Sequence, residues 1–164
     1  MEPIYEKEDV KIYIDEDPHN PRDWDNLGTM VCFHGRYTLG DKDHGYKQSD
    51  YNSWEELEKQ IEKDNKPCTI LPIYMLDHSG LTVRTTAFND SWDSGQIGFI
   101  YCSEEKAKDG GAWAPITMLK AEVETYDEYL RGDVYGYERG DDSCWGFYGY
   151  TPEELADAVL KGEV

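Results

Sequence analysis

Four short stretches of the chain bring together residue types that can do chemistry. Asp77-His78-Ser79-Gly80 places a histidine next to a carboxylate at the end of an apolar run. A carboxylate that fixes the imidazole tautomer makes such a histidine a general base. The same residues also spell a turn, with Asp as cap and Gly taking positive φ. In Asn89-Asp90-Ser91-Trp92-Asp93-Ser94-Gly95-Gln96 a tryptophan stands among small polar groups. That composition suits recognition by stacking and hydrogen bonding, or else a turn whose Trp packs on the core. Asp90 and Asp93 do not follow the EF-hand pattern, which needs its Gly and closing Glu.

The third stretch is Asp141-Asp142-Ser143-Cys144-Trp145-Gly146. Cys144 there is a possible nucleophile, with His78 or His34 as base. Its two carboxylate neighbours raise a thiol pKa where catalysis needs it lowered, so the reading preferred is a thiol packed inside a strand. In the fourth, His34-Gly35-Arg36-Tyr37, Arg36 either pairs with a carboxylate or holds an anionic ligand through its two-pronged guanidinium.

No stronger catalytic pattern accompanies them. The chain has no GxxxxGK[ST], no GxGxxG after a strand, no GxSxG and no HExxH. Its four histidines lack paired spacing, so neither a metal nor a cofactor is expected, and the balance leans away from an enzyme. Cys32, Cys68, Cys102 and Cys144 are far apart and form no CxxC pair; free thiols in a reducing compartment are the expectation. Residues 1–6 have neither a positive start nor an apolar run, and no stretch reaches the ~18 apolar residues of a membrane span. The expected location is cytoplasmic, with no membrane partner.

Charge is the extreme feature. Over 164 residues, 16 Lys and Arg face 35 Asp and Glu, a formal net charge of −19. The excess is spread along the chain and is heaviest at the two ends. Such a field repels nucleic acid and anionic lipid and attracts basic surfaces. Direct nucleic-acid binding needs clustered Lys and Arg, and the sequence has no such cluster. Solubility alone is the plainer use of the charge.

The elements that must position these stretches follow from periodicity. Alternation over residues 10–14 reads as a strand, as do Thr29–His34, Thr69–Leu76, Thr82–Ala87, Gln96–Cys102, Val134–Arg139 and Ser143–Tyr148. The runs 69–76 and 82–87 form a hairpin, and Pro72 marks a bulge or an edge. Ser53-Trp54-Glu55-Glu56 is a capping box that opens a helix to about Asp64. Ile116, Leu119, Val123, Tyr126 and Leu130 form the stripe of a helix over 116–131. Thr151-Pro152-Glu153-Glu154 opens a last helix. The expected fold is α+β: a single compact domain with a mainly antiparallel sheet and about three helices, residues 1–25 being a loosely packed acidic segment.

Several strings occur together in order: Asn26-Leu27-Gly28-Thr29-Met30-Val31-Cys32, Tyr37-Thr38-Leu39-Gly40-Asp41, Leu71-Pro72-Ile73-Tyr74, Asp77-His78-Ser79-Gly80 and Trp92-Asp93-Ser94-Gly95-Gln96-Ile97-Gly98. Tyr126-Asp127-Glu128-Tyr129-Leu130, Gly132-Asp133-Val134-Tyr135-Gly136 and Asp142-Ser143-Cys144-Trp145-Gly146-Phe147-Tyr148-Gly149 follow. The set resembles a family of small acidic proteins encoded by tailed bacteriophages, over about Asn26 to Gly149. The resemblance implies an accessory protein acting in an infected bacterium, and it carries no catalytic residues.

Three functional expectations result. The first is a DNA-mimic-like inhibitor of a basic host protein, a nucleic-acid-binding or defence protein. Its carboxylates would be Glu122, Glu124, Asp127 and Glu128 on one helix and Glu153, Glu154 and Asp157 on the last. The second is a small-molecule or nucleotide site, binding or hydrolytic, built where the loops converge: His34, Arg36, Asp77, His78, Ser79, Trp92, Asp93, Ser94, Gln96, Asp142, Ser143 and Trp145. A phosphate there needs positive charge, for which Arg36 and Arg84 are the suppliers. The third is a structural phage protein whose aromatic strands form an oligomer interface; the sequence does not fix the oligomeric state.

Overall fold

The structure is a computed structural model that describes residues 1–90 and 92–164, so Ser91 of the tryptophan loop lies outside the described residues. The fold is α+β, with every sheet pairing antiparallel. The strands fall into two four-stranded sheets, one in each of two compact units: Met1–Pro21 with Glu128–Val164, and Arg22–Asp127.

In the first unit the strands are β1 (Tyr5–Lys7), β2 (Val10–Ile14), β7 (Tyr135–Arg139) and β8 (Asp142–Phe147), in the order β1-β2-β7-β8. Helix α4 (Pro152–Leu160) covers one face. Thr151 opens it as the sequence predicts, accepting from the Glu154 amide, and Glu154 reaches back to the Thr151 amide to complete a capping box. Leu155, Ala156 and Val159 then meet Val10, Ile12, Tyr135 and Tyr137. Val10 and Ile12 are fully buried, so loose packing of residues 1–25 does not hold for β2. Alternation put Val10, Ile12 and Ile14 on one face; Val10 and Ile12 are core, whereas Ile14 at the strand end is exposed. On the other face Trp145 lies across Gly136, where an added Cβ would stand 2.1 Å from the indole. Only glycine admits that approach.

The second unit has the strand order β3-β6-β4-β5, from β3 (Thr29–Cys32), β6 (Ser94–Ser103), β4 (Cys68–Asp77) and β5 (Leu81–Arg84). The expected β4–β5 hairpin is present, pairing Tyr74–Asp77 with Leu81–Arg84. A register shift falls between Ile73 and Tyr74 where β4 meets β6, one residue after Pro72. At Gly98 a Cβ would meet the Val31 carbonyl at 1.8 Å, so β3 can pair there only with glycine. Helix α1 (Trp54–Asp64) starts at Ser53, whose side chain accepts from the Glu56 amide. It buries Leu57 and Ile61 against Val31, Phe99 and Tyr101.

Two further helices complete the chain. The six-residue α2 (Glu104–Asp109) follows β6 and has only Ala107 as a buried residue. It lacks the apolar repeat that announces a helix, and so exceeds the three expected. Helix α3 (Pro115–Arg131) buries Leu119, Val123 and Tyr126 of its expected stripe, whereas Ile116 is half exposed. Among the described residues no helix is long and apolar enough to cross a membrane.

Candidate functional site

Antiparallel order decides which loops meet. β3 and β4 both run opposite to β6, so the C-terminal ends of β3 and β4 lie beside the N-terminal end of β6. Those ends carry three of the four chemically interesting stretches. They surround an open cleft of about 730 Å³ lined by His34, Gly35, Arg36, Met75, Asp77 and 92–97. A backbone bond from the Asp77 amide to the Asp93 carbonyl (2.8 Å) ties two of the loops together.

Each polar side chain has a defined partner. Asp77 Oδ2 accepts from the Tyr37 hydroxyl at 3.0 Å and lies 3.6 Å from an Arg36 guanidinium nitrogen. His34 Nδ1 accepts from the amides of Arg36 (3.0 Å) and Tyr37 (3.2 Å), so its neutral ring carries the proton on Nε2. The Tyr37 ring stacks on His34 at 5.2 Å between centroids. Gln96 donates to the Gly98 carbonyl, and the Ser94 hydroxyl donates to the Asp90 carbonyl. Asp90 accepts from the amides of Trp92 and Asp93; those two bonds hold its carboxyl below the usual range.

His78 does not use its neighbour in sequence. Its Nδ1 lies 3.3 Å from Asp93 Oδ2, while Asp77 turns to Tyr37 and Arg36. His78 and Ser79 form the exposed turn before β5, with positive φ at Ser79 and Gly80, and neither lines the cleft. Trp92 does not pack on the core: it is 94% exposed, at the rim. Met75 and Ile97 supply the apolar floor. Strand alternation from Asp77 and Gly95 would have named both. Arg84 is spent elsewhere, lying over the Phe88 ring and donating to the carbonyls of Thr86 and Ala87.

The fourth stretch is strand β8, at an edge of the sheet in the other unit, and Asp142, Ser143 and Trp145 do not line the cleft. Asp142 accepts from the Tyr137 hydroxyl, Ser143 pairs with Glu138, and Trp145 contacts Tyr13 at 5.9 Å between centroids. Cys144 is exposed and not packed inside, on the edge strand β8. All four cysteines are free.

The proposed acidic faces are largely engaged. Glu122 accepts from Arg22 and from the amides of Leu27 and Gly28. Asp127 accepts from the Thr82 hydroxyl and the Val83 amide, and Glu128 from the Gly149 amide. Glu154 caps α4, and Asp157 pairs with Lys7 at 2.6 Å; that pairing holds the Asp157 carboxyl below its usual range. Glu124 and Glu153 are exposed.

The sequence reading missed the group around Arg22. This guanidinium is buried and held by Asp41, Glu122 and the Gly28 carbonyl. Burial works against its charge, yet the bonds and charges of Asp41 and Glu122 prevail and hold it above its ordinary range. A lone Arg between Pro21 and Asp23 gives no local sign of this role.

Chemically, the cleft is equipped to bind. Among the described residues lining it, the hydroxyl of nucleophile type is that of Ser94, and it donates to a carbonyl and not to an imidazole. Among the described residues no group of three His, Cys, Asp or Glu could hold a metal ion. The chain matches no family model, no curated protein and no solved structure.

Proposed function

We propose that the chain is a binding protein whose cleft at the end of the β3-β6-β4-β5 sheet takes a small planar group, stacked on Trp92 and hydrogen-bonded by Asp77, Asp93 and His34. The observation that carries this is the convergence of three separate polar stretches on one cleft with an almost wholly exposed Trp at its rim. An exposed indole beside placed polar groups is a surface that gains by being covered. The setting proposed with it, on the resemblance of the sequence strings to tailed-phage proteins, is an infected bacterium.

Phosphate mimicry by the helices is the weaker reading. Five of its seven carboxylates already serve the chain's own donors. The charge of −19 then acts on encounter, drawing cationic ligands and basic surfaces toward the protein.

The test is a saturation-transfer NMR screen of small planar compounds, spanning nucleobases, aromatic amines and guanidines, against the chain and Trp92→Ala. Trp92→Ala should abolish the signal of any hit while leaving the unfolding midpoint unchanged. Hits indifferent to Trp92, or no hits at all, would remove the reading.

A further inference from the structure

The cleft also indicates the charge of what it binds. The chain's own cation, Arg36, stands at one side, with the carboxylates of Asp77 and Asp93 facing the same space. Arg84, the other candidate for a phosphate, is tied to Phe88 and two carbonyls. A phosphate would therefore meet two carboxylates and a single guanidinium, in a protein of net charge −19.

The hydrogen-bonding capacity left in the cleft points the same way. Asp77 engages Tyr37 and Arg36 through Oδ2, and Asp93 engages His78 through Oδ2. Among the described residues, Oδ1 of each carboxylate accepts nothing. These two open acceptors stand beside the donors of His34 Nε2 and Arg36, and a ligand that brings donors of its own matches them.

Arg36 shows how a cation is received there. Its guanidinium is 3.6 Å from Asp77 Oδ2, too far for a good hydrogen bond, and its side chain is 74% exposed. An exposed pair of this kind contributes little, so a ligand can displace it at small cost. A guanidinium fits better than an ammonium: it is flat enough to lie on an indole, and its fork matches a carboxylate.

We infer that the ligand of the cleft is a guanidinium group and that Arg36 is its competitor, occupying the place beside Asp77 in the free protein. The inference rests on the binding reading above and narrows it. The source of the guanidinium, a small molecule or an arginine side chain of a peptide, is left to the test.

Titration calorimetry of the full chain with agmatine, with its urea isostere N-carbamoylputrescine, with AMP and with an N-acetylated, C-amidated Gly-Arg-Gly peptide tests it. Agmatine should bind and the urea isostere should bind at least about tenfold more weakly, since it keeps the ammonium but lacks the guanidinium charge. Arg36→Gln, at an exposed position that leaves the fold alone, should tighten agmatine by about two- to fivefold, the worth of an exposed ion pair. Asp77→Asn should weaken it. If the peptide binds more tightly than agmatine, the source is a protein arginine; if not, a free guanidine; both support the inference. It is overturned if Arg36→Gln weakens binding, or if AMP or the urea isostere binds as well as agmatine. In those cases sensitivity to Trp92→Ala would still uphold the cleft as a binding site. If none of the four probes binds, the guanidinium inference also fails, and the wider screen then decides the cleft itself.

Discussion

Arg22 and Asp41 form a two-point ion pair, with Nε to Oδ1 at 2.7 Å and a terminal nitrogen to Oδ2 at 3.1 Å. The Arg22 side chain is 2% exposed, and Asp41 Oδ2 also takes the Met30 amide at the middle of β3. Removing Arg22 strips both carboxylates of their cation, and removing Asp41 leaves the buried guanidinium with Glu122; breaking a buried pair in this way costs about 3–5 kcal/mol. Asp41→Ala and Arg22→Met should each lower stability by about that amount in urea unfolding. A loss below about 1 kcal/mol, the range of exposed pairs, would show that the group is not closed to water.

What the sequence could reveal here divides by range. Ser53, Thr151 and the Val10–Ile14 alternation each act within a few residues, and the helices and strand they announce are present. The hairpin of β4 and β5 is local too. The insertion of β6 between β3 and β4, and of β2 beside β7, brings together residues far apart in sequence, and no turn signal specifies either. The same division runs through the site. Composition picked out His34, Arg36, Asp77 and Trp92–Gln96 one stretch at a time. Their meeting depends on antiparallel pairing with β6, and Asp142–Trp145 resembled them in composition while belonging to another sheet. His78 shows the finer limit: adjacency to Asp77 suggested the pair, but a turn sends the two side chains apart.

Gly136 and Trp145 make a second test of packing. A methyl group at Gly136 would stand 2.1 Å from Cε3 of the indole, so Gly136→Ala must push Trp145 or the β7 backbone aside. Overpacking of this kind costs about 1–3 kcal/mol. The double variant Gly136→Ala, Trp145→Ala should recover part of that loss relative to the sum of the singles. Simple additivity in the cycle would mean that the two residues do not oppose each other.

Cys32 links stability to alkaline pH. Burial pushes its thiol from 9.0 up to about 12, Asp41 adding to the shift and Arg22 opposing it. Above pH 9 the unfolded chain releases a proton that the folded chain keeps, so this contribution is complete below pH 9 and is lost as pH rises toward 12. Tyr148 acts in the same sense, its hydroxyl raised from 10.0 to about 12, by burial first and then by Tyr129, Asp15 and Glu128. Unfolding midpoints between pH 7 and 11 should fall more steeply for the native chain than for Cys32→Ala, whose packing loss does not vary with pH. Parallel curves would contradict a buried, neutral Cys32. A thiol reagent at neutral pH should label exposed Cys144 before buried Cys32 and Cys102.

Glu124 and Asp127 lie three residues apart on α3 and separate structural from free acidity. Asp127 Oδ1 accepts from the Thr82 hydroxyl at 2.6 Å and the Val83 amide at 2.9 Å, holding the start of β5. Asp127→Ala leaves that amide without its acceptor and should cost about 1–3 kcal/mol. Glu124 is exposed, so Glu124→Ala should stay within about 0.5 kcal/mol of the native chain. Equal, small effects would mean that the α3 carboxylates are all free, which would restore the helix row as a surface able to face a basic partner. The unequal pair is expected, because a carboxylate already accepting two bonds from its own chain is poorly placed to stand in for a phosphate.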